Sequence, residues 1–301
     1  MFYKNNWLTW KYDNIEYSPK NSIDYNFDLI LKKTTYYDTM SYYNELCENA
    51  RNLRDLITGP LDLLFSGGID SEVILRIHLD LKIPLNVFIF QYEDMLNHKE
   101  FNHAVKVCHD LNVKYKVINF DVKKFFENEA YDIWQKCYCN SSGWIPHMKM
   151  TEYLDNTPIG GTGEPYWKIQ ENGNWMFEID EGAKFWTLYN KKIGRVAVTD
   201  WYEYRPEIII SHMHLPRMQK LITNQQPGKL SSISNKSPIH KDYWNDIVIR
   251  PKLVGFEKDK PAGKNSKPEY MLEFERQYTD KVKSKTYRYT SDEIIEALCF
   301  P

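Results

Sequence analysis

The 301-residue chain has no uninterrupted apolar run of about 18 residues, so no membrane-spanning helix is expected. Its first residues, Met1-Phe2-Tyr3-Lys4-Asn5-Asn6-Trp7, lack the long apolar segment of a secretory signal. Only five cysteines occur, at Cys47, Cys108, Cys137, Cys139 and Cys299, an odd and scattered set. That pattern argues against a disulfide framework and fits free thiols in a reducing cytoplasm. Basic residues are not in excess, since 39 Lys and Arg stand against 41 Asp and Glu, for a net charge of -2. A whole-molecule basic footprint for nucleic acid is therefore absent, which leaves room only for a local basic patch. No Gly-x-x-x-x-Gly-Lys-Ser/Thr stretch is found, which removes a Walker A loop. Internal repeats, coiled-coil heptads and long low-complexity segments are missing too.

The composition that remains is globular, with 42% apolar and 27% charged residues, and the chain is long enough to bury a real core. Aromatic residues make up 15%, more than a core needs, so some are expected to line a cleft or an interface.

Residues 1–35 read as polar-aromatic and irregular, with room for a few strands. Over 41–57 the stripe Tyr42, Leu46, Ala50, Leu53 and Ile57 marks an amphipathic helix, ended by Gly59 and Pro60. A regular grammar follows. Leu61–Phe65 is a short apolar strand, and Ile69–Leu81 a helix with Val73, Ile77 and Leu81 on one face. Leu85–Tyr92 is a second strand, about 98–111 a second helix, and Tyr115–Phe120 a third strand. Strands alternating with helices of this length imply right-handed βαβ units, so the fold class is α/β with a parallel sheet and flanking helices. A helix carrying Phe125, Phe126, Ala130, Ile133, Trp134 and Cys137 is expected next, then one from Pro146 to Leu154 and a short strand over Thr157–Gly160. Residues 166–235 carry no readable pattern, 257–268 read as a loop, and Thr290 with Glu293 fits the capping box of a last helix.

The chemistry concentrates in Ser66-Gly67-Gly68-Ile69-Asp70-Ser71, where a strand ends and a helix begins. Two glycines free the backbone and keep side chains away from a ligand. The helix N-terminus then offers N–H groups and the positive end of its dipole to an anion. Ser66 and Ser71 can add hydroxyl donors, and Asp70 can hold a magnesium ion. The plain alternative is a tight turn with an Asp/Ser helix cap.

The hexapeptide resembles the SGGxDS pyrophosphate loop of the N-type ATP pyrophosphatases, or PP-loop superfamily. Its members include asparagine, GMP and NAD synthetases, argininosuccinate synthetase and tRNA-thiolating enzymes. The resemblance implies an adenine nucleotide alpha hydrolase-like fold and a reaction in which ATP adenylates a carboxylate or carbonyl, releasing pyrophosphate. A nucleophile then displaces AMP. It implies that Ser66, Gly67, Gly68, Asp70 and Ser71 bind ATP phosphates and Mg2+, with adenine near Leu64, Phe65 and Gln91.

Within the superfamily the chain most resembles the synthetase domain of asparagine synthetase and β-lactam synthetase, and two further segments carry the likeness to asparagine synthetases. Arg250-Pro251-Lys252-Leu253-Val254-Gly255-Phe256 is similar to their late Arg-x-Lys-x-x-Phe segment, with three residues rather than two between Lys252 and Phe256. The implied role of Lys252 is to stabilise charge on the departing pyrophosphate. An exposed basic loop is the alternative. Gly161-Thr162-Gly163-Glu164-Pro165-Tyr166 stands where that family has Gly-Glu-Gly-x-Asp-Glu. Thr162 replaces the first glutamate, so either Glu164 takes an acidic role or the acceptor chemistry differs. Phe2 stands where glutamine-dependent members have a nucleophilic cysteine, and 60 residues are too few for a glutaminase, so ammonia would come from solution or a partner.

Other features carry less. Cys137-Tyr138-Cys139 could serve sulfur transfer, yet no second pair completes a zinc site. On a strand, His212 and His214 would project to one side and suit a metal, but no acidic or cysteine partner lies near them in sequence, so structural or surface histidines are expected. Basic residues from Lys252 to Lys267 serve ATP or a solvated loop sooner than RNA. The expectation is a stand-alone cytoplasmic synthetase that joins a small-molecule carboxylate to an amine or ammonia, using ATP and Mg2+. Residues 1–36 form an N-terminal extension and 37–301 the synthetase-like domain. A thiolating nucleobase- or tRNA-modifying enzyme and a non-catalytic nucleotide binder are the alternatives.

Overall fold

The structure, a computed structural model, describes residues 8–12, 23–24, 27–31, 39–161, 166–169, 175–180, 182–198, 201–218, 239–248, 256, 267–283 and 286–290. In chain order the strands are β1 (Leu8–Tyr12), β2 (Ile23–Asp24), β3 (Phe27–Leu31), β4 (Leu61–Leu64), β5 (Leu85–Tyr92), β6 (Tyr115–Phe120), β7 (Thr157–Ile159), β8 (Tyr166–Ile169), β9 (Trp175–Asp180), β10 (Val282–Lys283) and β11 (Thr286–Thr290). The helices are α1 (Tyr42–Leu56), α2 (Ile69–Asp80), α3 (His98–Asp110), α4 (Val122–Asn128), α5 (Ala130–Cys137), α6 (Ile145–Thr151), α7 (Gly182–Lys192), α8 (Pro206–Met213) and α9 (Glu269–Gln277).

Four parallel strands make the central sheet, in the order β6-β5-β4-β7. Their apolar residues alternate between two cores, as the period of a strand requires. Leu61, Leu63 and Phe65 join Val87 and Ile89 on one face, while Phe88, Phe90 and Tyr92 face the other way. The first face is covered by α1, α2, α3 and α8, and the second by α4, α5, α6, α7 and α9. β4, β5 and β6 step outward in one direction, and β7 then returns to the other side of β4. The chain thus reverses its winding between β4 and β7, which makes that gap the topological switch point. The α/β expectation is met.

Asp62, wholly buried in β4, holds this gap in register. Its carboxylate accepts from the Asn86 amide of β5 at 2.8 Å and, next to β7, from the Asn156 backbone N–H at 2.8 Å and amide at 3.0 Å. Beyond β7, Val198 forms a further parallel bridge to Ile159. Its N–H donates to Pro158 O at 2.8 Å, and Gly160 N–H donates to Val198 O at 3.0 Å.

All five residues of the expected α1 stripe are buried. The helix expected after residue 121 is two, α4 and α5, meeting at Glu129. The stretch 166–235, unreadable in sequence, contains β8, β9, α7 and α8, and β8 and β9 join β11 in an antiparallel sheet of order β11-β9-β8. Elsewhere β1 pairs antiparallel with β3, and β2 parallel with β10. Thr290, expected as a helix cap, ends strand β11, and Glu293 lies outside the described residues. His212 and His214 are not on a strand. His212 is buried on α8 with its ring 5.1 Å from that of Tyr42, and His214 follows the helix, exposed. Positions two apart on a helix do not share a face, so they make no metal pair. Among the described residues no helix is long and apolar enough to cross a membrane.

Candidate functional site

The hexapeptide begins one residue after the Phe65 N–H bonds to Phe88 O at 2.9 Å, which ends the β4–β5 pairing. Gly67 adopts φ +65°, a left-handed turn that swings the chain from the sheet into α2. A methyl group at Gly67 would lie 2.9 Å from the Ala104 backbone of α3, so glycine is required there for space as well. Gly68 is the N-cap of α2 and no side chain caps that end. The two serines brace the turn internally. Ser66 Oγ accepts from Gly68 N–H at 3.2 Å and lies 3.3 Å from Ser71 Oγ, and Ser71 Oγ donates to Gly68 O at 2.9 Å. Asp70 sits half-buried in the first helical turn.

The opposite wall comes from β7. Its strand runs out into Gly160 and Gly161, across the switch point from the hexapeptide. A methyl group at Gly161 would lie 2.7 Å from Ser71 N and 2.9 Å from Asp70 C. At Gly160 it would collide with the Trp186 ring of α7. The two backbones therefore pack closely at the carboxyl ends of β4 and β7. Open parallel sheets bind ligands at that place, and an uncapped helix N-terminus suits an anion.

The donors available to an anion there are the N–H groups of the α2 N-terminus, which no side chain caps, and the Ser66 and Ser71 hydroxyls. For a magnesium ion the loop offers one carboxylate, Asp70, and no cluster of three His, Cys, Asp or Glu able to hold a metal occurs among the described residues. A single carboxylate is a donor of the kind Mg2+ takes together with substrate phosphates and water.

The expected adenine contacts divide. Leu64 is half-buried, facing the second core, whereas the Phe65 side chain is buried in the first core and can offer a nucleotide only its backbone. Gln91 is half-buried at the end of β5, and its amide donates to the Met95 thioether. The turn after β5 is fixed by buried Asn97, which accepts from Tyr92 N–H at 2.8 Å and donates to Phe90 O at 2.9 Å. Asp94 and Met95 there take φ 56° and 55°. Nothing local in the sequence announced Asn97.

Lys252, Thr162 and Glu164 lie outside the described residues. Phe256, from the same segment as Lys252, is described. Its ring stacks on Tyr92 with centroids 5.6 Å apart, at the carboxyl end of β5. Cys137 and Cys139 are buried at the end of α5, divided by Tyr138 in the left-handed region. Burial pushes the Cys137 thiol up to about 12, so it stays protonated at neutral pH.

Residues 63–136, from within β4 almost to the end of α5, match the family model described as "Queuosine biosynthesis protein QueC". That is about a quarter of the chain and includes the hexapeptide. No curated protein matches the sequence. Among solved structures, NMN synthetase from Francisella tularensis is similar at 13% identity and a TM-score of 0.37, over 80% of this chain and 92% of that one. NH3-dependent NAD synthetase from Campylobacter jejuni subsp. jejuni aligns at 14% identity and 0.33, over 80% and 93%. A predicted subunit of tRNA methyltransferase from Methanocaldococcus jannaschii aligns at 18% and 0.31, over 62% and 88%. Likeness at these TM-scores is too distant to carry chemistry across.

Proposed function

We propose that this chain, whose residues 63–136 match a PP-loop family model, is an N-type ATP pyrophosphatase acting as an AMP- and pyrophosphate-forming synthetase that joins a carboxylate or carbonyl compound to an amine or ammonia. The observation that carries the reading is the Ser66–Ser71 loop at the sheet's switch point, with its uncapped helix N-terminus facing Gly161. Main-chain N–H groups of the loop, with the Ser66 and Ser71 hydroxyls, hold the β- and γ-phosphates, and the helix dipole favours their charge. Asp70 would hold Mg2+, which when bound would neutralise phosphate charge. Adenine rests at the ends of β4 and β5, against Leu64, the Phe65 backbone and Gln91.

A carboxylate oxygen attacks the α-phosphorus of ATP, the bond from that phosphorus to the bridging oxygen breaks, and pyrophosphate leaves. The amine nitrogen then attacks the acyl carbon, AMP leaves with the linking oxygen, and the nitrogen loses a proton. Lys252 stabilises the leaving pyrophosphate. Glu164, three residues past Gly161, serves the acceptor side. Sulfur transfer is disfavoured, since the Cys137 and Cys139 thiols are buried away from solvent.

The test is pyrophosphate release from MgATP across a panel of small carboxylates, nucleobase carboxylates included, each paired with ammonia or simple amines. Release that requires both partners supports the reading. No stimulation by any pair, with ATP bound, would leave a nucleotide-binding protein instead.

A further inference from the structure

The first turn of α2 is also held from outside the loop. Tyr202, four residues beyond the Val198 bridge, is fully buried, and its hydroxyl donates to the Asp70 carbonyl oxygen at 2.8 Å. In a helix that carbonyl serves the ladder bond four residues on, so the phenol takes its second lone pair and fixes how the Asp70 peptide is turned. Tyr202 is itself held from behind. The Trp201 ring meets it edge-on with centroids 4.8 Å apart, and the buried Asn49 amide of α1 donates to Trp201 O at 2.8 Å. Arg205 then pairs with Glu45 of α1 and with Glu207, each at 3.3 Å. Helix α1 thus fixes the 201–205 segment, and that segment fixes the peptide of the one acidic residue in the loop.

We propose that Tyr202 is a positioning residue for the pyrophosphate loop: its hydroxyl sets the orientation of the Asp70 turn and so the affinity for MgATP. This rests on the loop being the ATP phosphate site. A displacement of about 1 Å in a positioned group can cost on the order of a hundredfold, and losing one hydrogen bond to a braced turn should cost part of that. The effect belongs to phosphate binding, not to acceptor binding or to folding.

Tyr202→Phe removes the hydroxyl and keeps the buried ring. Direct MgATP binding to wild type and variant is measured by calorimetry, well below both melting midpoints, alongside KM and kcat for pyrophosphate release. We expect Kd and KM for MgATP to rise about fivefold or more, kcat to stay within about twofold, and the melting-point gain from saturating MgATP to shrink. A purely structural hydroxyl would lower the melting point and leave the affinity alone. Asn49→Ala, which frees the Trp201 carbonyl but keeps Tyr202, should shift affinity the same way by less, and it serves if Tyr202→Phe does not fold. Unchanged MgATP affinity in the variant, with wild type binding, overturns the role of Tyr202 alone. Wild type that does not bind MgATP overturns both this role and the ATP site.

Discussion

Gly161 and Ser71, ninety residues apart in sequence, are in backbone contact: a methyl group on Gly161 would stand 2.7 Å from the Ser71 nitrogen. The strand end of β7 and the first turn of α2 can approach so closely only because position 161 has no side chain. This contact joins the two sides of the switch point.

Gly161→Ala should therefore displace the loop. Neither neighbour is a flexible side chain, so relief must come from backbone, at a cost of about 1–3 kcal/mol in stability. We expect kcat/KM for MgATP to fall about tenfold or more. Gly59→Ala is the control. It puts a side chain on a glycine at a positive φ, +100°, where a methyl group would meet nothing within 4 Å. Thermal melts should show both variants destabilised, and ATP titrations should show only Gly161→Ala impaired.

His78 gives the fold a pH dependence. It is buried on α2, its Nδ1 lies 2.8 Å from Ile74 O, and burial pulls it down to about 4 from 6.5. Between those values the unfolded chain binds a proton that the native chain refuses, so stability rises with pH from about 4 to 6.5. Outside the window this group adds no slope. We expect up to about 1.4 kcal/mol per pH unit from it, read as the difference between wild type and His78→Gln in urea unfolding at several pH values. Parallel curves for the two proteins would contradict this.

Behind the loop, Arg76 donates to Glu72 at 2.8 Å and, through both terminal nitrogens, to Asp246 at 2.9 and 3.0 Å. The Arg76 and Glu72 side chains are 8% and 2% exposed, whereas Asp246 is 58% exposed. Arg76→Met should cost about 3–5 kcal/mol, because it removes the cation paired with the buried Glu72 carboxylate. Adding Glu72→Met should restore most of that, whereas Asp246→Asn alone should cost about 1 kcal/mol or less. Chemical denaturation of the four proteins checks the order.

The legible part of this molecule was the part built from local signals. The apolar run in Leu85–Tyr92, the Gly59-Pro60 break and the stripe of α1 each write their element into neighbouring residues, so three strands of the sheet and the loop between β4 and α2 could be read directly. What could not be read is long-range. Strand β9 pairs with β11 across more than a hundred positions, and the Tyr202 hydroxyl finds Asp70 across 132 residues. The strand expected for His212 and His214 rested on no neighbouring signal. Pro206 in the first turn and burial on all sides made it helix α8 instead. Phe65 shows the same limit at the site, since alternation alone could not say that its ring belongs to the core.

Cys137 should be chemically silent. Its thiol lies 3.3 Å from the Met148 sulfur and is fully buried. Alkylation with iodoacetamide should leave it unmodified in the native protein and label it after unfolding, and Cys137→Ala should keep pyrophosphate release within about twofold. Loss of activity in that variant, with the fold intact, would return sulfur transfer to consideration.

The most direct measurement follows ATP labelled at the α-phosphate, with magnesium and an active pair from the substrate panel, in wild type and Asp70→Asn. Equimolar AMP and pyrophosphate from wild type, and neither from a folded Asp70→Asn protein, is the expected result. Formation of ADP and inorganic phosphate, or AMP formation unaffected by Asp70→Asn, would contradict a pyrophosphate loop at Ser66–Ser71.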